Sequence, residues 1–143
     1  MIVSAVIVGL VFVSGFFVGN LSNAEVKQEI RIGYQNPENA DRVDYQKSFT
    51  DSENPLIIER FLMIYINKEK IENMELGNPD VFIELNNPKD SVRLIDSKLW
   101  FTDDKGIIGI GTGENQEQMT FYEIDQEDAA FIKKVINDEE GKR

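Results

Sequence analysis

The chain has 143 residues, 41% hydrophobic and 29% charged, with 26 Asp and Glu against 15 Lys and Arg, and neither His nor Cys. That length suits one domain, and the apolar share is too high for a wholly disordered acidic polymer. A formal net charge of -11 argues against nucleic acid, whose phosphates need clustered Lys and Arg, and the missing residue types exclude disulfides, thiolate nucleophiles, zinc-thiolate sites and imidazole acid-base chemistry.

Residues 1–19 carry no charge, and the first charged side chain is Glu25. About 18 apolar residues in a helix reach about 27 Å, close to the hydrocarbon thickness of a bilayer and longer than a signal-peptide core of about 7 to 15 residues. The length predicts a membrane anchor through residues 2–19. Ser22-Asn23-Ala24 also offers a signal-peptidase cut after Ala24, which would release a secreted chain, and a buried core helix is the third reading. Lys27 and Arg31 follow the span, so the positive-inside rule alone would place the body in the cytoplasm. Glu25 and Glu29 offset those bases, and a run with no basic residues before it resembles an export signal lacking its basic start; the body is therefore expected outside. Gly15 and Gly19 have the spacing of helix pairing in membranes, although small residues in an apolar run commonly have no such role.

Residues 25–143 form the expected soluble, acidic domain. Ile30, Ile32 and Tyr34 alternate with Glu29, Arg31 and Gly33, the period of a half-buried strand. A polar stretch from Gln35 to Asp44 reads as an exposed loop, with a short extended piece over Tyr45 to Phe49. Thr50-Asp-Ser-Glu53 has capping-box spacing, and Pro55 suits a first helical turn. Ile57, Ile58, Phe61, Leu62 and Tyr65 then recur at helical spacing, and Gly77-Asn78-Pro79 closes a connector that draws on Ile71, Met74 and Leu76. Beyond Pro79 the period changes to two. Strands are expected over residues 80–85, 92–101, 107–110 and 119–124, with turns at 86–90 and 102–106, an antiparallel meander. Asp125 caps a closing helix that buries Ala129, Ile132, Val135 and Ile136. The fold class is α+β: a transmembrane or signal helix, then a mostly antiparallel sheet of about five strands and two helices in the order β-α-β-β-β-β-α.

The strand Ile30-Arg-Ile32, the helix end Phe61-Leu-Met-Ile-Tyr-Ile66, the strand Asn78-Pro-Asp-Val-Phe-Ile-Glu-Leu85, the strand Leu99-Trp100-Phe101 and the closing helix together resemble the YhfM-like domain of small extracytoplasmic proteins of Gram-positive bacteria. The likeness runs from Val26 to Ile136 and implies an extracytoplasmic setting. Many members look like lipoproteins with a lipobox cysteine; this chain has none, so lipid anchoring is not implied, and the family offers no catalytic residues to carry over.

Chemistry would have to rest on carboxylates, Ser and Lys, Tyr, or a metal held by oxygen. Asp103, Asp104, Glu114, Glu117 and Glu123 are the acids of the sheet half that could pair across a cleft, though solvated charge is the commoner role. The loop Asn36 to Asp44 offers hard oxygen donors without the EF-hand pattern. Gly109-Ile-Gly-Thr-Gly113 precedes a strand rather than a helix, so a bulge or tight turn is expected in place of a phosphate cradle. Ser97 and Lys98 point to opposite faces of a strand, which excludes a nucleophile-base dyad. Trp100, Phe101, Phe121 and Tyr122 lie on two strands; Trp100 and Phe101 must face opposite ways, one to the core and the other to a free sheet face where it could meet a ligand or pack beneath a loop. The expectation is a non-enzymatic, membrane-tethered or exported extracytoplasmic domain that needs no cofactor and binds a protein partner at the cell envelope. The alternatives are a carboxylate-based envelope enzyme and a single-pass accessory subunit of a membrane complex.

Overall fold

In the first strand, β1 (Glu29–Gln35), alternation sends Ile30 and Ile32 into full burial on one face and leaves Arg31 on the other. The computed structural model of the chain describes residues 25–111 and 118–138. The elements after β1 are β2 (Val43–Thr50), α1 (Pro55–Asn67), β3 (Glu69–Lys70), β4 (Val81–Asn87), β5 (Val92–Phe101), β6 (Gly106–Ile110), β7 (Thr120–Ile124) and α2 (Gln126–Asn137). Strands β2-β1-β4-β5-β6-β7-β3 lie in that order in one sheet, and each neighbouring pair is antiparallel.

The expected order of five strands is thus corrected to a sheet of seven strands, β-β-α-β-β-β-β-β-α. The exposed loop expected after Gln35 runs over residues 36–42, and the short extended piece expected over Tyr45 to Phe49 is part of a longer edge strand, β2. Its pairing with β1 slips between Ile32 and Gly33, where Lys47 and Tyr45 are the partners, so Gln46 is an extra residue. A bulge breaks the period-two pattern, and of the two side chains that β2 sends into the protein one is Lys47. The second added strand, β3, is only Glu69 and Lys70, too short to leave a pattern. The anchor or signal expected at residues 1–24, with Gly15 and Gly19, lies outside the described residues. Among the described residues no helix is long and apolar enough to cross a membrane.

Both helices pack on one face of the sheet. α1 carries the chain from β2 at one edge to β3 at the other, and its 13 residues make a rod of about 20 Å. Ile58, Phe61, Ile64 and Tyr65 from α1 and Ala129, Ile132 and Val135 from α2 meet Ile30, Ile32, Val81, Ile83, Leu99, Ile108 and Ile124 of the sheet in one core. Phe61 and Phe131 join the helices edge to face, with centroids 5.6 Å apart. The Tyr65 hydroxyl lies 2.6 Å from Ser97 Oγ, and that hydroxyl donates to the Ile83 carbonyl at 3.0 Å, so the polar atoms within this core are satisfied. Thr50 Oγ1 accepts from the Glu53 amide at 3.3 Å, but α1 starts at Pro55, one turn later than the capping spacing suggests. Asp125 caps α2, accepting from the Asp128 amide at 2.8 Å.

A candidate interaction face on the sheet

The face turned away from the helices divides into two halves. On strands β2, β1, β4 and β5 it is a charged network. Arg31, Glu84 and Asp96 stand in register across β1, β4 and β5. The Glu84 carboxylate reaches Arg93 Nη2 at 2.8 Å and Arg31 Nη1 at 3.5 Å, and Arg93 Nη1 continues to Asp96 at 2.9 Å. Arg93 reaches this face because the β4–β5 register slips between Leu85 and Asn86, leaving Leu94 as the extra residue. The Arg31 guanidinium stacks 4.4 Å above the ring of Tyr45. That phenol is held above its ordinary range by burial first and by the Glu84 carboxylate second. Gly33 makes room for the ring: a Cβ there would stand 2.9 Å from Tyr45 Cδ1 and 2.8 Å from the Asp44 carbonyl oxygen. Beneath these side chains the Glu84 side chain is 4% exposed, although no helix covers this side of the strand. Leu94, the extra residue of the bulge, rims the network as an apolar group 50% exposed.

The other half is covered. Trp100, Ile107, Met119 and Phe121 form a second apolar cluster, capped by Ile71 and Leu76 from the segment between β3 and β4. The Trp100 indole donates to the Gly77 carbonyl at 2.8 Å, and its ring lies 5.9 Å from that of Phe121. Both rings lean over Gly109, where a Cβ would meet Trp100 Cζ3 at 3.1 Å and Phe121 Cε1 at 3.3 Å. Gly109, the first glycine of that run, therefore serves ring packing and sits in regular pairing within β6 rather than at a bulge or turn.

Of the four aromatic candidates, the structure brings together Trp100 and Phe121 only, and buries both at 5% and 1% exposure. Phe101 and Tyr122 lie on the helix side, half-buried beside the main core, beneath Lys133 at 4.9 Å and Lys68 at 4.4 Å. Asp103 and Asp104 are exposed in the β5–β6 turn, and Glu123 pairs with Lys105 at 2.6 Å; Glu114 and Glu117 lie outside the described residues. In the Asn36 to Asp44 loop the oxygens serve the loop itself. Asn36 Oδ1 accepts the Glu38 and Asn39 amides, and Asp44 takes Asn36 Nδ2 at 2.6 Å and Arg42 at 2.9 Å. Ser97 lies under α1 and Lys98 on the opposite face, as alternation requires.

Three charged features were not anticipated. Glu84 and Arg31 each sit between apolar neighbours in a strand, and that interruption was the available signal. Lys47, buried on β2, donates to the Val135 carbonyl at 2.9 Å and to that of Asp138, so it ties the edge strand to the end of α2. Glu69, Glu123, Asp125, Glu127 and Asp128 line a cleft of about 330 Å³ with Arg60, and Arg60 bonds Asp128 at 2.8 Å and Glu127 at 3.0 Å. The Asp128 carboxyl is pushed above the usual range by burial and then by Asp125, against the pull of Arg60. Among the described residues no group of three or more acids is placed to hold a metal ion. Comparison of the chain with family models, with curated proteins and with solved structures found no match.

Proposed function

We propose that the chain is a non-enzymatic binding domain, tethered to a membrane or exported through it by residues 1–24, that meets a protein partner at the outside of the cell envelope. The observation that carries this reading is the bare half of the sheet face over β2, β1, β4 and β5. Its charges are already neutralised in pairs and its rim is apolar at Leu94. A surface of that kind suits docking, since Arg and Tyr anchors surrounded by apolar contacts carry much of the energy of protein interfaces. The uncharged run of residues 1–19 and the likeness to YhfM-like domains support the extracytoplasmic setting. A photo-cross-linking residue at Leu94 in the full chain is expected to give one discrete protein adduct in cells, reduced by Arg31→Glu, while the same residue at Glu127 gives none. Equal adducts at both positions, or none at Leu94, would reject the sheet face as the docking surface.

The carboxylate-enzyme reading has one observation on its side, the raised Asp128 carboxyl in an acidic cleft. The Arg60 pairing and the cap on α2 account for that arrangement without a substrate.

A further inference from the structure

We propose that residues 71–80 are a displaceable strap seated in a peptide-binding groove, and that the groove's external ligand is an extended peptide. Such a peptide would carry two apolar side chains at the spacing of Ile71 and Leu76. The inference deepens the reading of the protein as a binding domain and rests on it.

The groove has a floor of its own. Trp100, Phe121, Ile107 and Met119 lie across the sheet from the main core, so uncovering them leaves the packing of both helices intact. Gly109 between the two rings keeps that floor shallow, which admits a backbone at close range.

Most of what holds the strap is generic to any peptide. The Ile71 amide donates to the Phe121 carbonyl at 3.0 Å, one step beyond the pairing of Glu69 with Glu123 and Lys70 with Tyr122. The Gly77 carbonyl accepts the Trp100 indole, and the Asp80 amide donates to the Leu99 carbonyl at 2.9 Å. Each of these is a main-chain group of the strap, and one side-chain bond joins them, the Asp80 carboxylate accepting the Phe101 amide at 2.7 Å, so sequence enters through the apolar side chains that fill the cluster and through that one acid. A foreign peptide that follows the same path can reproduce the main-chain bonds and can extend the pairing, because β3 pairs with only Tyr122 and Glu123 of β7.

The strap itself is neither helix nor strand, and a Cβ at Gly77 would meet nothing within 4 Å. It carries Glu72 and Glu75 into a molecule whose net charge is already -11. Like charges repel, so a peptide with Lys or Arg at those two places is the better occupant.

Trp100 is the only tryptophan, and its emission reports the state of the groove. In the full chain held in lipid nanodiscs, the double substitution Ile71→Ser, Leu76→Ser is expected to shift that emission to the red and to raise acrylamide quenching several-fold, with the far-ultraviolet circular dichroism unchanged. A synthetic peptide with the sequence of residues 68–80 should restore the blue emission saturably. The same peptide carrying Glu72→Lys and Glu75→Lys should bind about tenfold more tightly at low salt, and the advantage should fade as salt rises. Unchanged emission in the double variant, or no recovery with either peptide, overturns the proposal.

Native-state hydrogen exchange on the unmodified chain guards against a variant that fails to fold. The Ile71 and Asp80 amides should exchange at least about a hundredfold faster than that of Ile83, through a local opening. Protection equal to that of Ile83 overturns the strap. A wild-type chain that dimerises as its strap opens would give the groove to a second copy and overturn the foreign peptide. The cross-link at Leu94 reads the other half of the face, so either idea can fail without the other.

Discussion

The Glu84 carboxylate is bound by Arg93 at 2.8 Å on the side of the sheet that no helix covers, and it is nonetheless almost wholly shielded from water. Removing it would leave Arg31 and Arg93 facing each other without their shared counterion. Glu84→Ala is expected to cost about 2 kcal/mol, less than the full penalty for breaking a buried pair because both guanidinium groups retain solvent. Arg93→Ala should cost less, since Arg31 remains beside Glu84. In a double-mutant cycle by urea denaturation, coupling between Glu84 and Arg93 of about 1 kcal/mol is expected; zero coupling would mean that the network is only crowded charge.

Lys47 is an inward-pointing charge on an edge strand, a device that keeps such edges from pairing with other chains. Together with the bulge at Gln46 it makes β2 a poor template for strand addition. Lys47→Leu is expected to loosen the last turn of α2 and to increase self-association, read by light scattering against concentration. A variant as monomeric as the parent would assign the protection of this edge to the bulge alone.

How much of this was legible in the residues differs by element. The helical periods at Ile57 to Tyr65 and at Ala129 to Ile136, and the meander after Pro79, could be read because each is a local pattern. Strand β2 showed only as a short extended piece over Tyr45 to Phe49, because its bulge and Lys47 remove the alternation that marks a full strand. Opposite faces for Trp100 and Phe101 followed from alternation. That Trp100 would meet Gly77 across 23 residues of chain depends on where the connector crosses, which no local pattern encodes. The Arg31–Glu84–Asp96 row likewise needs the register of β1 on β4, two strands that are far apart in sequence.

Acid stability should turn on Asp128. Its carboxyl is raised in the folded state, so the fold binds that proton more readily than the unfolded chain. The contribution is fully present below the ordinary Asp pKa and is lost as pH rises through the folded value. Asp128→Asn is therefore expected to raise the Tm at neutral pH and to leave it nearly unchanged in acid. A lower Tm at neutral pH would show that the Arg60 bond outweighs the cost of burial.

At the alkaline end the same reasoning applies to Tyr65, which burial lifts above its ordinary value while Ser97 pulls the other way. Its stabilising contribution is present below a pH of about 10 and declines above it, because only the unfolded chain ionises there. Tyrosinate absorbance from Tyr65 should appear together with unfolding. Tyr65→Phe is expected to cost about 1 kcal/mol at neutral pH and to remove part of the alkaline loss. Tyrosinate absorbance in the intact fold, complete well before the loss of circular dichroism, would contradict the burial.

The two glycines of the covered half should respond in opposite directions to the same change. At Gly109 an added methyl meets Met119 Cε at 2.7 Å, which a flexible thioether can relieve, but also the Trp100 and Phe121 rings, which are wedged against each other and the strap. Gly109→Ala is expected to cost about 1 to 3 kcal/mol through this overpacking and to shift Trp100 emission. At Gly77 there is open space, so Gly77→Ala restricts only the unfolded chain and should add about 0.4 to 1 kcal/mol of stability. Thermal denaturation of both variants, with Trp100 emission followed alongside, tests the pair. If Gly109→Ala were neutral, the rings would have room to separate, and the shallow floor described for the groove would not be held by Gly109.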